Sequence, residues 1–244
     1  MPSDIEHTLA SLEQVAAERA LRARDAVLGE RVRALKTYQQ QRFRNTYADL
    51  LADARYADAT RFFLEDLYGP ADHGERDAQF GRVVPALGRV FPHEMVTTVR
   101  SLAALHALSE ALDTEMARHM GSSALTPAHY AAAWQATGRE PDRDRQIVLA
   151  LEVGEALDRY THKALWRNSL RLMRGPARSA GLASLQRFLE RGFDAFRAMD
   201  GAAQFLATIG SRERALATAL FDPRIIPAGP SVLRTTHAAL EQLP

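Results

Sequence analysis

Apolar residues recur every three or four positions along most of this chain, and no segment alternates apolar and polar residues over the length of a strand. Strict alternation indicates a strand with one buried face, whereas a spacing of three or four indicates an amphipathic helix. The sequence therefore predicts an all-α fold: a multi-helix bundle of about eight helices around one core, with a long N-terminal helix.

Gly and Pro residues separate most of the predicted helices. The first helix covers residues 4–53, with Gly29 as a candidate bend, because a glycine costs a helix interior roughly 1 kcal/mol relative to alanine. The others cover 55–68, 76–91, 92–120, 127–137, 142–174, 179–199 and 201–221, with a further short helix over 231–243. We expect Pro85 to kink or split its helix and Gly175-Pro176 to end the helix over 142–174. Gly181 and Gly192 are small enough to let a neighbouring helix approach closely.

Three regions are expected from this pattern. Residues 1–38 form an amphipathic helix that either packs on the body or projects from it, and a projecting arm favours pairing with a second copy of the chain. Residues 39–225 form one helical domain. Residues 226–244 form a tail interrupted by Pro and Gly.

The chain has no cysteine among its 244 residues, which excludes disulfides, thiolate nucleophiles and cysteine-held zinc or iron–sulfur sites. A divalent metal, which the sequence does not require, would have to be held by His, Asp or Glu. No apolar run reaches the roughly 18 residues of a membrane-spanning helix. The first residues carry acid instead of the basic start of a signal peptide. We therefore expect a cytoplasmic protein that does not enter a membrane.

Basic residues are concentrated between Arg19 and Arg44, although the formal net charge of the chain is only +1. This basic segment contains two acids, Asp25 and Glu30, and eight cations: Arg19, Arg22, Arg24, Arg31, Arg33, Lys36, Arg42 and Arg44. We interpret it as a solvated helix face that pairs with acids elsewhere in the fold. A regulatory role on nucleic acid is the alternative. It is disfavoured because only two aromatic side chains that could stack on bases are interleaved there.

The string Glu-Ala-Leu-Asp occurs twice, and each copy has a histidine on the same stripe of its helix. The six side chains are His106, Glu110 and Asp113 on one predicted helix, and Glu155, Asp158 and His162 on another. Two helices that each present two carboxylates and an imidazole could hold a dinuclear metal site inside a bundle. The spacing departs from the Glu-x-x-His pattern of ferritin-like sites. The other interpretation is that the acids lie outside and pair with arginines, while Ala and Leu face the core.

Two segments, Phe62-Phe-Leu-Glu-Asp-Leu-Tyr-Gly-Pro70 and Arg76-Asp-Ala-Gln-Phe-Gly-Arg-Val-Val-Pro85, resemble an uncharacterised bacterial all-helical family, a domain of unknown function. The likeness continues through residues 105–113, 153–160 and 181–213, and it begins near Gln39. The resemblance implies a helical domain and supplies no activity and no catalytic residues. It directs attention to the polar side chains of the matching segments: Asp66, Tyr68, Asp77, Gln79, Glu110, Asp113, Glu155, Asp158 and Tyr160.

No catalytic motif accompanies these patterns, since the chain has no Gly-rich phosphate loop, no Gly-x-Ser-x-Gly elbow and no His-Glu-x-x-His. The first hypothesis is therefore a non-enzymatic helical protein that binds a small ligand or a protein partner, a second copy of the chain included. One alternative is a helix-bundle metal-binding protein or metalloenzyme built on the paired Glu, Asp and His. The other is a regulatory protein that uses the basic segment.

Overall fold

The computed structural model describes residues 3–68, 74–121, 125–225 and 238–244, which contain no β-strand. Their eleven α-helices are α1 (Asp4–Arg24), α2 (Ala26–Thr46), α3 (Ala48–Ala52), α4 (Ala57–Phe62), α5 (Gly74–Val90), α6 (His93–Arg118), α7 (Pro127–Thr137), α8 (Glu140–Thr161), α9 (Ala164–Ser179), α10 (Ala183–Ala198) and α11 (Ala203–Phe221). A π-helical turn, Phe63–Leu67, follows α4. The all-α prediction is confirmed, but the described residues form more helices than the eight or so predicted, because breaks divide two long predicted helices.

The predicted helix over 4–53 is divided into three, and its first break lies at Asp25, not at Gly29. Asp25 is extended, with φ −120° and ψ 95°, and its Oδ1 accepts a hydrogen bond from the Leu28 amide at 3.0 Å, which caps α2. At Gly29, a Cβ atom would lie 3.1 Å from the Arg22 carbonyl oxygen. The prediction of one helix was wrong because the apolar spacing continues across the break. Asp25 caps the start of α2, and Gly29, which has no Cβ, lets the first turn of α2 lie close to the end of α1.

The predicted helix over 142–174 is also divided, at His162, into α8 and α9. α9 then continues through Gly175-Pro176 instead of ending there. Pro176 has no amide to bond the carbonyl of Leu172, but Leu172 is 78% exposed, so water can satisfy that carbonyl. The chain turns at Gly181, whose φ of +67° is accessible to glycine without steric cost.

Several other helices agree with prediction. α6 and α7 match the helices predicted over 92–120 and 127–137, and Thr126 caps α7 by accepting a hydrogen bond from the His129 amide at 3.2 Å. α5 passes Pro85 without splitting. Of the short helix predicted over 231–243, residues 231–237 lie outside the described residues, and 238–240 form a 3-10 turn.

α6 lies at the centre of the bundle, in contact with α1, α2, α5, α7 and α8. α1 packs against α5 and α6, while α8 contacts α10 and α11. Buried apolar side chains form two clusters. The first joins α2, α6, α7 and α11 and includes Leu35, Met116, Tyr130 and Leu216; the second joins α4, α10 and α11 and includes Phe62, Phe196 and Phe205. None of the helices in the described ranges is long and apolar enough to cross a lipid bilayer.

Candidate functional site

A cavity of about 620 Å³ lies between the helices of the bundle and is partly open to solvent, and side chains from both buried clusters line it. Most of the lining is apolar and comes from side chains such as Phe63, Phe80, Leu102, Ile147, Phe188 and Leu216. Charged side chains interrupt this apolar wall. Three of them are carboxylates, from Asp77, Glu110 and Glu213, and each is held by side chains from other helices.

The first carboxylate, Glu110 on α6, is 4% exposed and lies between two cations of the basic segment. Arg22 Nη2 donates to its Oε2 at 2.5 Å, and Lys36 Nζ donates to its Oε1 at 2.6 Å. Burial alone would raise the pKa of Glu110, but the charges of Lys36 and Arg22 outweigh burial and lower the pKa to about 2. Glu110 is therefore a stable anion that joins α1, α2 and α6.

One helical turn further along α6, Asp113 is 1% exposed and lies behind this ion pair. The Tyr68 hydroxyl lies 3.1 Å from both carboxylate oxygens of Asp113 and donates to them, while Lys36 Nζ lies 3.9 Å from Oδ2. Burial raises the pKa of Asp113, and the charge of Lys36 opposes that change without cancelling it. Burial, together with Asp113, also raises the pKa of Tyr68 well above its usual range. The pKa of Glu110 is thus lowered and the pKa of Asp113 is raised, although the two carboxyl groups lie one helical turn apart in the same interior.

The second carboxylate, Asp77 on α5, connects α1, α5 and α6. Its Oδ2 accepts from Arg19 Nη2 at 2.6 Å and lies 2.9 Å from His106 Nε2, while Arg76 Nε is 3.3 Å from Oδ1. Burial would raise the pKa of Asp77, but the hydrogen bond and charge of His106 and the two arginines hold it well below its usual range. His106 therefore pairs with Asp77 and not with Glu110, its neighbour on the predicted stripe.

The third carboxylate, Glu213 on α11, binds two side chains. One is Arg42 of α2, and the other is Tyr47, the residue that follows α2. Glu213 Oε1 accepts from Arg42 Nη1 and from the Tyr47 hydroxyl, both at 2.5 Å. The guanidinium of Arg42 also lies over the Phe43 ring, 3.8 Å from the centroid. Burial and the charge of Glu213 both raise the pKa of Tyr47 well above its usual range, so its hydroxyl stays protonated and donates.

Arg143 on α8 differs from the other buried cations of the cavity wall. It is 3% exposed, and no described carboxylate lies within ion-pair distance, 4.0 Å, of it. Its guanidinium lies over the Trp134 ring, 3.9 Å from the centroid. Its other contacts are long: 3.4 Å from Nη1 to Gln146 Oε1 and 3.6 Å from Nη2 to Met116 Sδ. Neither Arg143 Nε nor Trp134 Nε1 has a hydrogen-bond partner.

The two Glu-Ala-Leu-Asp copies have different surroundings. Glu110 is buried and paired, whereas Glu155 on α8 is exposed. Asp158 Oδ1 accepts from the Ala202 amide at 3.0 Å, which satisfies a donor at the start of α11, and His162 Nε2 lies 3.6 Å from the same oxygen. In the part of the chain that the structure describes, no group of three or more His, Asp or Glu side chains is placed to hold a metal ion. The structure therefore does not bring the two sets of side chains together.

The remaining polar candidates join helices outside the three carboxylate clusters. Asp66 Oδ1 accepts from Arg191 Nη1 at 3.0 Å. Gln79 Oε1 accepts from the Leu185 amide at 2.9 Å, which fixes the start of α10 against α5. The Tyr160 hydroxyl lies 2.9 Å from Thr98 Oγ1, between α8 and α6.

The basic segment was identified from the sequence, but the position of most of its cations on the cavity wall was not predicted. Five of its eight cations line the cavity: Arg19, Arg22, Arg33, Lys36 and Arg42. Glu213, which lies 171 positions from Arg42, and Arg143 were also not predicted. A signal for Arg143 exists, because this arginine shares a helical stripe with Ile147 and Ala150, so a cation stands on an otherwise apolar face.

These features define an all-α bundle with a charged cavity between its helices. Residues 18–227 match the sequence model of the family described as "Domain of unknown function (DUF8198)", and the chain belongs to this family. The predicted membership in a helical family of unknown function is therefore confirmed, and the match starts earlier than Gln39, within α1. Comparisons with curated proteins and with solved structures gave no match.

Proposed function

We propose that this protein is a non-enzymatic binding protein that holds a small molecule with a largely apolar body inside the bundle. The observation that supports this function is the cavity of about 620 Å³. Sites for small molecules are typically ~300–1,000 Å³, mostly apolar, and supplied with a few polar groups that orient the ligand. The expected cytoplasmic location and bacterial origin stay predictions.

The charged side chains of the wall favour binding over catalysis. A general base needs a pKa near the working pH and access to the proton that it removes. Glu110 is held as an anion by Arg22 and Lys36, and Asp77 is held in the same way by Arg19, Arg76 and His106. Both carboxylates already have strong partners, so they stabilise the wall instead of reacting.

The first test is the mass of the purified protein under native conditions beside its denatured mass. A bound organic molecule that co-purifies adds mass only to the native species. The second test uses dodecanol, a neutral molecule with an apolar tail, as a probe in binding calorimetry. We expect dodecanol to bind the wild-type protein.

A matched pair of variants on α11 locates the binding. Ala217 lines the cavity, whereas Ala215, two positions earlier, is exposed. Ala217→Leu fills part of the cavity and is expected to weaken dodecanol binding about tenfold, a change of about 1.4 kcal/mol. Ala215→Leu should leave it unchanged. Equal binding by both variants, or no binding by the wild type together with an unliganded native mass, would contradict the proposed function.

A further inference from the structure

The wall of the cavity carries more positive than negative charge. Seven of its lining side chains are arginine or lysine, against three carboxylates. Two carboxylates are already shared, Asp77 by Arg19 and Arg76, and Glu110 by Arg22 and Lys36. The third, Glu213, pairs with Arg42. Even with Asp113 counted behind the wall, beside Lys36, the lining side chains keep a formal excess of positive charge.

Arg143 is the deeply buried cation of this wall that has no carboxylate partner among the described residues. The guanidinium of a buried arginine loses its hydration, and this cost is normally offset by a carboxylate partner. Arg42 has such a partner in Glu213. Burial lowers the pKa of Arg42, but the charge of Glu213 outweighs burial and raises this pKa above its usual range. Burial lowers the pKa of Arg143, and the charge of Asp113, which lies beyond ion-pair distance, does not cancel that effect.

Two donors at this place lack acceptors. Arg143 Nε and Trp134 Nε1 are both buried without a hydrogen-bond partner, and both residues line the cavity. Buried donors of this kind are almost always satisfied in folded proteins, and a charged donor without an acceptor is especially costly. An anionic group in the cavity beside Arg143 would supply both the missing charge and the missing acceptors.

We propose that the ligand of this cavity is an anionic amphiphile, with a carboxylate or phosphate end held by Arg143 and Trp134 and an apolar tail along the rest of the wall. This inference rests on the proposed function, because it names the class of molecule that the same cavity takes. The planar guanidinium suits both kinds of head, since it donates two parallel hydrogen bonds to a carboxylate or a phosphate.

The test compares three probes that share one tail: dodecanoate, dodecyl phosphate and dodecanol. We expect the wild-type protein to bind at least one of the two anions about tenfold more tightly than dodecanol, as a charged hydrogen bond in a buried site would give. Whichever anion binds more tightly identifies the head group. Arg143→Gln should remove the preference for the anion while retaining dodecanol binding.

Arg145 provides the matched control, because it lies on the same helix but is exposed and pairs with Glu152 at 3.4 Å. Arg145→Gln should keep the full preference for the anion. If Arg143→Gln does not fold, Trp134→Phe replaces it as the test, since phenylalanine keeps an aromatic ring under Arg143 and removes the Nε1 donor. This variant should lose several-fold of the preference.

The outcomes separate the two proposals. Equal affinity of the wild type for dodecanol and both anions would overturn the anionic class and leave the binding function in place. A preference that survives in Arg143→Gln, or in Trp134→Phe where that variant replaces it, would overturn the assignment of the head-group site. Failure of all three probes, together with an unliganded native mass, would overturn the binding function itself.

Discussion

Lys36 and Glu110 are 74 positions apart in the chain, yet Lys36 Nζ lies 2.6 Å from Glu110 Oε1 inside the bundle. The contact joins α2 to α6, and the side chains of Lys36 and Glu110 are 16% and 5% exposed. Arg22, from α1, completes the cluster on the other carboxylate oxygen. One buried acid therefore fixes three helices on one side of the cavity.

Glu110→Gln is expected to destabilise the protein by about 3 kcal/mol, because removing one member of a buried ion pair leaves the partner charges desolvated and unpaired. The sequence contains its own control. Glu155 occupies the equivalent position in the second Glu-Ala-Leu-Asp string but is exposed, so Glu155→Gln should change stability by no more than about 0.5 kcal/mol. Urea unfolding of both variants beside the wild type measures the difference. Similar losses in the two would show that Glu110 is not a buried ionic contact.

The two copies of this string show how far sequence reasoning reaches. Helical spacing placed His106, Glu110 and Asp113 on one stripe of α6. In the structure Glu110 and Asp113 are buried and His106 is half-buried. Their partners could not be derived in the same way. Each comes from another helix, at separations of 29 residues for Asp77 and 74 for Lys36, and periodicity within one helix carries no information about such pairs.

The basic segment shows the same division between local and long-range information. Its charge was evident from composition, and pairing with distant acids was expected. That five of its cations line the cavity depends on how α1 and α2 pack around α6, which a one-dimensional pattern does not specify. Helix existence was predictable from local spacing. The break at Asp25 was missed because one capping side chain outweighed an apolar spacing that continues across it.

Gly192→Ala should destabilise the protein although alanine favours helices by about 1 kcal/mol over glycine. A Cβ at Gly192 would lie 2.7 Å from Phe62 Cζ, and Phe62 is buried in the second cluster, so the ring cannot move away freely. We expect a net loss of about 1–3 kcal/mol, as in other overpacked cores. At Gly81, also helical, the nearest atom to a Cβ would be Leu12 Cδ1 at 3.9 Å, an ordinary contact, so Gly81→Ala should be neutral or stabilising. Thermal unfolding of the two variants tests this contrast, and a stabilised Gly192→Ala would refute close packing there.

Acid is expected to remove the contribution of Glu110. Its folded-state pKa of about 2 lies below the ordinary value of 4.5, so the stability that it supplies is present above about pH 4.5 and is lost as pH falls toward about 2. Asp77, whose pKa is also lowered, acts in the same sense. Urea midpoints measured between about pH 7 and about pH 3 should therefore bring wild type and Glu110→Gln closer together in acid. A difference that stays constant over this range would contradict the ion pair.

Asp113 should show the opposite dependence on pH. Its pKa is raised by burial, with Lys36 opposing and Glu110 adding to the effect, so the folded state holds the proton of Asp113 more tightly than the unfolded chain does. A group of this kind contributes stability that is complete below its unfolded pKa, about 3.9, and is lost as pH rises through the folded pKa. Asparagine at this position keeps an oxygen that can accept from Tyr68 and carries no charge to desolvate. The stability of the wild type relative to Asp113→Asn should therefore fall with rising pH, while its stability relative to Glu110→Gln increases. Unfolding curves of the three proteins across one pH series measure both slopes, and parallel slopes would mean that Lys36 lowers the pKa of Asp113 as it lowers that of Glu110.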